Sequence, residues 1–201
     1  MTGTRMANKT DKKDIDEAMI ASEKINLGLL DSHFHYLSGD IDDENVADVI
    51  RWIIYENLKP EQDKMLTLML NSNGGDLSSA FGLIDVMKNS RIPIRTIGVG
   101  SVISAAFLIF AAGTRGERFI GRNTSVMCHQ YSCSTEGKHH DLKAYNKEME
   151  STNKRMMTIL KESTDLDLKT IRSKFLPPTD VWMTPAELIE FGVADNFLNY
   201  T

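Results

Sequence analysis

One nearly continuous apolar run of strand length restricts the fold of this chain more than any other segment. The run is Met65-Leu-Thr-Leu-Met-Leu70. A strand with one wet face alternates apolar and polar residues, whereas a strand buried on both faces is apolar throughout. The run therefore predicts a central strand of a parallel sheet whose two faces are covered by helices. A chain built around such a strand is expected to belong to the α/β class.

The segments around this run alternate between strand and helix patterns. Strands are predicted at residues 35–41, 93–99, 118–120 and 125–129, and helices at 15–25, 42–58, 77–89, 103–112 and 185–191. In the second of these helices, apolar residues recur at three- and four-residue steps, which predicts one apolar face: Val46, Val49, Ile50, Ile53 and Ile54. Successive strand-then-helix units are joined by right-handed crossovers in a parallel sheet.

A long charged helix is predicted over residues 138–162. Its apolar residues fall near a heptad spacing: Leu142, Tyr145, Met149, Met156 and Leu160. Such a narrow apolar seam is typical of a helix that packs against one partner rather than into a core. Residues 1–15 lack apolar periodicity and are expected to form a mobile arm. Residues 16–201 are expected to form a single domain, which is long enough for a sizeable core.

Composition and charge exclude several classes of function. The formal net charge is −5 and no dense basic stretch occurs, so no nucleic-acid partner is expected. The N-terminus is charged, and the longest apolar run, residues 102–113, is too short to cross a bilayer, so no membrane contact is expected. The cysteines Cys128 and Cys133 are expected as free thiols in the cytoplasm, with a disulfide as the alternative. The sequence contains no cluster of His and Cys residues that would predict a zinc site.

A serine and a histidine occupy settings that suit nucleophilic catalysis. Ser104 ends the segment Gly98-Val-Gly-Ser-Val-Ile-Ser104 and precedes an apolar helix, and His129 ends a short predicted strand. A hydroxyl becomes a nucleophile when an imidazole takes its proton, and the imidazole needs a third group to hold its tautomer. Taken alone, the serine is more often the N-cap of a helix and the histidine a structural residue. The functional interpretation therefore depends on the pair.

A turn with two glycines follows the apolar run, in the segment Asn71-Ser-Asn-Gly-Gly75. Adjacent glycines allow positive φ and close approach to the backbone, so the N–H groups of Gly74 and Gly75 can point at an oxyanion. Asn-Gly is also a common turn signal, so a purely structural turn is the alternative.

Four segments in order resemble the Clp-type serine peptidases, the ClpP family. They are the Asn71-Ser-Asn-Gly-Gly75 turn, residues 100–104, Met127-Cys-His-Gln130 and residues 184–195. The intervals from Gly75 to Ser104 and from Ser104 to His129 match the family pattern without a gap. The resemblance covers about residues 36–198. It implies the ClpP/crotonase-like ββα superhelix fold with a protruding long helix.

The resemblance also implies roles for matching residues. Ser104 would be the nucleophile and His129 the general base. The N–H groups of Gly75 and Ala105 would form the oxyanion hole, and each such donor supplies about 3 kcal/mol of barrier reduction. Ala105 replaces a methionine that is frequent in the family, which should be harmless because the donor is a main-chain group.

The implied partners follow from the family as well. Its members assemble as two stacked heptameric rings, a tetradecamer, and the helix over residues 138–162 would make the ring-to-ring contact. Unfolded polypeptide would bind as an added strand along Gly74 and Leu77. A ring-shaped Clp ATPase unfoldase would deliver this substrate. ATP would then be used only by the partner, and the chain itself would need no cofactor.

The third member of the triad departs from the family pattern. Counting back from the terminal motif places the family's acid at Leu176, and aligning forward from residues 168–171 places it near Lys174. Neither is a carboxylate. Asp180 is the nearest acid and is predicted as the triad acid, although it also matches a second acidic position of the family motif. Asp165 and Asp167 are poorer candidates because they precede the altered segment.

Smaller differences from the family pattern occur next to Ser104 and in the glycine turn. Val102 and Ile103 are bulkier than the residues common before the family's serine, and they are expected to reshape the substrate pocket. Asn73 stands where a proline is usual and is expected to loosen the turn slightly.

The sequence thus predicts an ATP-dependent Clp protease proteolytic subunit, a serine endopeptidase that cleaves unfolded polypeptides inside a ring-shaped chamber. The alternative is a ClpP-like subunit with weak or no activity and an assembly or regulatory role, which the displaced acid favours. A crotonase-like enzyme acting on acyl-CoA is a third possibility, since such enzymes use a similar glycine oxyanion hole. These enzymes, however, do not need a serine and a histidine at these positions.

Overall fold

A mostly parallel sheet forms the centre of the computed structural model, which describes residues 9–60 and 64–199, with side chains from residue 20 onward. The strands are β1 (Phe34–Ser38), β2 (Leu66–Ser72), β3 (Ile94–Ile103), β4 (Arg118–Ile120), β5 (Ser125–Cys128), β6 (Val181–Met183) and β7 (Asn196–Phe197). The helices are α1 (Lys9–Asp31), α2 (Asp43–Leu58), α3 (Leu77–Asn89), α4 (Ala105–Ala111), α5 (His139–Ser163), α6 (Leu168–Lys174) and α7 (Pro185–Glu190).

The order of the strands confirms the α/β prediction. Five strands lie in the order β1-β2-β3-β4-β7, each parallel to its neighbour. The helices α2, α3 and α4 connect the first four strands in turn. The long strand β3 changes partner along its length, because its first half pairs with β4 and its last residues pair in parallel with β5. Only β6 runs antiparallel to its neighbour, β5.

The apolar run lies in β2, but only one face of the strand is fully buried. Leu66, Leu68 and Leu70 are inaccessible to solvent, whereas Thr67 and Met69 on the other face are half-buried. The prediction that both faces are buried is therefore wrong for this strand. An apolar residue does not require complete burial, so the composition of the run could not distinguish the two cases.

Several predicted helix boundaries are confirmed, and α2 shows why. The carboxylate of Asp42 accepts a hydrogen bond from the Asn45 N–H at 2.8 Å and caps α2, which ends at Leu58 before the predicted stop. Its buried face carries Trp52 as well as the predicted Val46, Val49 and Ile53, whereas the predicted Ile50 is half-buried and Ile54 is 48% exposed. Helix α3 has the predicted bounds.

The helix α1 is longer than predicted at both ends. Residues 1–8 of the predicted arm lie outside the described residues, whereas residues 9–15 belong to α1. Residues 9–15 include three lysines, which favour helix without needing an apolar stripe. Apolar periodicity therefore gives no signal for the first turns of this helix.

The long helix α5 has two distinct halves. In the first half, Leu142 and Tyr145 are 41% and 43% exposed, so this half of the predicted apolar seam is largely open to solvent. In the second half, Met156 and Leu160 are buried against the rest of the domain. The helix is thus anchored at its C-terminal end and carries an exposed apolar face at its N-terminal end.

A buried ion pair joins the end of the chain to the sheet. The Arg118 side chain is 3% exposed, and its Nε and Nη2 donate to the Asp195 carboxylate at 2.9 and 2.7 Å. Its Nη1 donates to the carbonyl oxygen of Ser163, the last residue of α5, at 2.7 Å. Burial by itself would raise the pKa of Asp195, but the hydrogen bonds and charge of Arg118 hold this pKa below its ordinary value.

We expect Asp195→Asn to lower the free energy of unfolding by about 3 kcal/mol, because it leaves the buried Arg118 without its counter-charge. The ionised carboxylate stabilises the fold above the unfolded pKa of an aspartate, about 4, and this contribution is lost as pH falls through the lower folded pKa. The variant should therefore lose less stability on acidification than the wild type. Urea denaturation at matched protein concentration, at neutral and acidic pH, measures both effects. The matched control is Asp165→Asn, whose carboxylate is 96% exposed and pairs with Arg115; equal losses in the two variants would contradict the expectation.

Candidate active site

Ser104 lies on a strained turn between β3 and α4. Its φ of 57° and ψ of −119° fall outside the regions that residues other than glycine normally adopt. The turn is held because α4 is completely buried and because the Ser104 N–H donates to the Met127 carbonyl at 2.9 Å. Ser104 precedes the helix in the N-cap position, but its hydroxyl makes no capping hydrogen bond. Strain maintained in this way is typical of functional positions.

The hydroxyl of Ser104 meets the imidazole of His129. The Oγ–Nε2 distance is 2.7 Å, a hydrogen bond between side chains that are far apart in the sequence. The parallel pairing of Ile103 with Met127 at the end of β3 and β5 brings the two residues together. When the ring carries its proton on Nδ1, Nε2 accepts the hydroxyl hydrogen. The pair can therefore transfer that proton as the serine oxygen attacks a substrate.

Of the two glycines after β2, Gly74 packs against Ser104 and Gly75 packs against Ile41. Gly74 has a φ of 97°, and a Cβ on it would lie 2.7 Å from the Ser104 Cβ and 3.1 Å from the Ala105 nitrogen. Gly75 has a φ of 151°, and a Cβ on it would lie 2.2 Å from the Ile41 carbonyl oxygen. Both positions therefore exclude any side chain, and the turn can approach the serine only because it consists of glycine.

Two main-chain N–H groups near Ser104 are suited to bind an oxyanion. Within the described residues, no hydrogen bond uses the N–H of Gly75, whose neighbours are held by a bridge to Ile41. Ala105 is the first residue of α4, so its N–H has no acceptor within the helix. Donors of this kind act strongly because they are already oriented before charge develops.

The space beside the serine is small. A cleft of about 70 Å³ is lined by Ser104 and His129 and by two other residues predicted from the sequence, Gly75 and Leu77. Small-molecule sites are several-fold larger, about 300–1,000 Å³. The space directly beside Ser104 is therefore narrow in this structure.

Three further residues line this cleft and were not predicted as site residues: Tyr131, Ser132 and Met156. Tyr131 and Ser132 follow His129 closely, so their position in the chain was a usable signal. Met156 was predicted only as part of the helix seam, and packing of α5 brings it to the cleft. The sequence carries no local signal for that contact.

Two hydrogen bonds join the chain after His129 to other parts of the domain. The Gln130 Nε2 donates to the carbonyl oxygen of Leu176 at 2.8 Å. The Tyr131 N–H donates to the Asn153 Oδ1 of α5 at 2.9 Å. These two bonds set the position of the residues that narrow the cleft beside Ser104.

The positions at which the family's acid was expected hold no carboxylate that contacts the imidazole. Leu176 is buried, and the adjacent Phe175 packs between two other rings, with centroid distances of 5.9 Å to Phe107 and 5.4 Å to Phe191. The altered segment therefore serves as a hydrophobic anchor. Lys174 is exposed.

Asp180 and His129 lie just beyond the same end of one strand pair. The ladder of β5 and β6 ends with the pair Cys128 and Val181, and His129 and Asp180 are the next residues of the two segments. Asp180 is exposed, and within the described residues no carboxylate forms an ion pair with His129.

The two cysteines are free thiols, as expected. Cys128 is buried in β5 next to His129 in the chain, and Cys133 is exposed in the following loop. Burial raises the pKa of the Cys128 thiol to about 12, so this residue remains protonated and unreactive at neutral pH.

Two other features are absent from the part of the chain that the structure describes. No group of three or more His, Cys, Asp or Glu side chains there could hold a metal ion. None of the described helices combines the length and the apolar character needed to cross a membrane.

Comparison with known proteins agrees with the resemblance seen in the sequence. The family model described as Clp protease matches residues 14–201. The ATP-dependent Clp protease proteolytic subunit 1 of Mycolicibacterium paratuberculosis is 31% identical over 175 residues, which cover 86% of this chain and 81% of the relative. The subunit 1 of Rhodococcus jostii is 32% identical over 174 residues, which cover 86% of this chain and 77% of the relative. The chain therefore belongs to the Clp protease family of serine peptidases.

Proposed function

We propose that this chain is the proteolytic subunit of an ATP-dependent Clp protease and that Ser104 and His129 carry out its endopeptidase reaction. The observation that carries the proposal is the 2.7 Å hydrogen bond between Ser104 Oγ and His129 Nε2 on a strained turn. The third member of the triad is proposed to be Asp180, after its side chain turns towards His129.

The first step is acylation. The Oγ of Ser104 attacks the carbonyl carbon of the scissile peptide bond while His129 Nε2 takes the hydroxyl proton. A tetrahedral intermediate forms, and its oxyanion accepts hydrogen bonds from the N–H groups of Gly75 and Ala105. The C–N bond then breaks, and the imidazolium of His129 gives its proton to the leaving amine. The first product leaves and the second remains as an ester on Ser104.

The second step is hydrolysis of this ester. Water attacks the acyl carbon, and His129 accepts a proton from the water. The C–O bond to Ser104 breaks, the serine recovers its proton from His129, and a peptide with a new carboxylate is released. No cofactor takes part in either step.

Substrate binding is proposed to use the chain that follows the glycine turn. Gly74 and Leu77 border the cleft region, and an extended polypeptide would bind along them by main-chain hydrogen bonds. This binding selects unfolded chains, because a folded protein does not offer a free strand. Widening of the cleft at Tyr131 must accompany it.

The proposed assembly is two stacked heptameric rings that receive substrate from a ring-shaped Clp ATPase. Relatives named as subunits of ATP-dependent Clp proteases support this partner. The exposed apolar residues Leu142 and Tyr145 on α5 support a contact between subunits. ATP hydrolysis belongs to the partner. We place the assembly in the cytoplasm, in keeping with the free thiols Cys128 and Cys133.

Labelling with a fluorophosphonate, located by peptide mass spectrometry, tests the nucleophile. We expect wild-type protein to be labelled at Ser104. Ser104→Ala should abolish this label, and His129→Ala should slow it by about 10³-fold or more, because the hydroxyl loses its base.

The matched control for this experiment is Ser101→Ala, a nearby half-buried serine in β3 whose main-chain N–H, not its side chain, binds Asn71. This variant should keep the wild-type rate. Absence of label in a fully assembled protein would contradict the proposal and favour a subunit with an assembly or regulatory role.

The role of Asp180 can be tested by kinetics. We expect Asp180→Asn to lower kcat for an unstructured peptide by 10²-fold to about 10⁴-fold with little change in KM, because the carboxylate orients and stabilises the imidazolium without binding substrate. The conservative Asp180→Glu should recover part of the loss. Asp165→Asn serves as the control, since that carboxylate pairs with Arg115. If Asp180→Asn matches this control, another group orients the histidine.

The ring-to-ring contact can be tested by sedimentation velocity. The double variant Leu142→Ser/Tyr145→Ser should shift the protein from the two-ring species to a single ring, because it removes the exposed apolar face of α5. The double variant Lys143→Ser/Lys147→Ser changes exposed residues of the same helix and should sediment like the wild type. Equal sedimentation of both double variants would exclude this face as the contact.

A further inference from the structure

A second cleft lies between α5, α6 and the chain that follows β5. Its volume is about 390 Å³, which lies in the range of small-molecule sites. Lys154 from α5 and Arg172 from α6 line it, and Met157 and Leu176 supply apolar surface. This α5–α6 cleft shares no lining residue with the cleft beside Ser104.

The α5–α6 cleft has an excess of positive charge. Lys154 and Arg172 line it together with a single carboxylate, Glu150. Neither cation has an ion pair or side-chain hydrogen bond to any residue that the structure describes. The adjacent Arg155, by contrast, is paired with Glu148. The two cations therefore face the cleft without an ion-pair partner in the described part of the chain, and with Glu150 they leave the lining one positive charge in excess.

The side chains in the cleft match the end of a peptide. A guanidinium and an ammonium together bind a carboxylate by charge-assisted hydrogen bonds. Asn153 uses its Oδ1 for the Tyr131 N–H, which leaves its Nδ2 to donate, and Gln130 uses its Nε2 for Leu176, which leaves its Oε1 to accept. These two atoms suit the C=O and N–H of a peptide group. The apolar surface suits an aliphatic side chain.

We propose that the α5–α6 cleft binds a small organic carboxylate carried on an apolar chain, and that the C-terminal end of a short peptide is the ligand that fits it best. Lys154 and Arg172 hold the carboxylate, and Met157 and Leu176 contact the apolar part. The hydrolysis proposed above releases peptides of this chemistry, but the site itself does not depend on that reaction.

The position of the cleft gives the ligand an effect on the catalytic pair. Gln130 follows His129 directly, and Asn153 holds Tyr131, which narrows the cleft beside Ser104. A ligand that contacts Gln130 and Asn153 keeps these bonds in place and opposes the widening that substrate requires. Bound carboxylate therefore slows the reaction of Ser104.

Isothermal titration calorimetry of the full-length, assembled protein tests the ligand chemistry. We expect N-acetyl-leucyl-leucine to bind, and its C-terminal amide to bind at least tenfold more weakly because the amide lacks the charge that Lys154 and Arg172 recognise. Hexanoate, which has an alkyl chain but no peptide group, distinguishes a peptide from a simple alkyl carboxylate as the ligand. Weaker binding of hexanoate supports a peptide as the ligand, whereas equal binding assigns the cleft to an alkyl carboxylate.

Variants of exposed residues test the location. Lys154→Gln and Arg172→Gln should each weaken binding of N-acetyl-leucyl-leucine at least tenfold. Lys169→Gln is the matched control, because Lys169 lines a neighbouring cleft of about 400 Å³ and should leave the Kd within twofold. Circular dichroism checks that the variants fold.

Several results would overturn the proposal: no heat of binding up to the solubility of the probe, equal binding of acid and amide, or equal effects of Lys169→Gln and Lys154→Gln. The rate of Ser104 labelling with and without the probe measures the coupling, and an unchanged rate at saturation would exclude it. Because calorimetry does not need an active serine, failure of the proposed peptidase function would leave the binding result readable.

Discussion

The parallel pairing of β3 is the constraint on which the rest of the structure depends. On one side β3 pairs with β2, and at its end it pairs with β5. The carboxyl ends of these three strands therefore meet at one edge of the sheet, where α/β proteins bind their ligands. Each strand leads into one part of the site: β3 into Ser104, β2 into the turn of Gly74 and Gly75, and β5 into His129. A shift in either pairing would separate the hydroxyl from the imidazole.

Backbone strain and glycine packing act together at this edge. Holding Ser104 at positive φ costs on the order of 1–3 kcal/mol. The buried helix α4 and the hydrogen bond from Ser104 to Met127 offset that cost. The close approach of the turn is open only to glycine, because a Cβ at Gly74 would overlap the serine. The fold itself thus positions the Ser104 hydroxyl, the His129 imidazole and the main-chain N–H groups of Gly75 and Ala105.

The residues that follow His129 in the chain lie between the cleft beside Ser104 and the α5–α6 cleft. Gln130 and Tyr131 are held by Leu176 and Asn153, and the same segment borders both the cleft beside Ser104 and the α5–α6 cleft. Phe175, in the segment before β6, packs between Phe107 and Phe191 and anchors that segment to the core.

The sequence by itself determined the α/β class, the bounds of α3 and the identity of the serine, the histidine and the glycine turn. These features have local signatures: an apolar run, a capping aspartate, and glycines where the backbone needs them. Only the tertiary structure decided that one face of β2 is fully buried, that Met156 and Tyr131 line the cleft, and that within the described residues no carboxylate forms an ion pair with His129. These features depend on which distant elements pack together. The residues of one strand alone do not indicate which distant strand it pairs with.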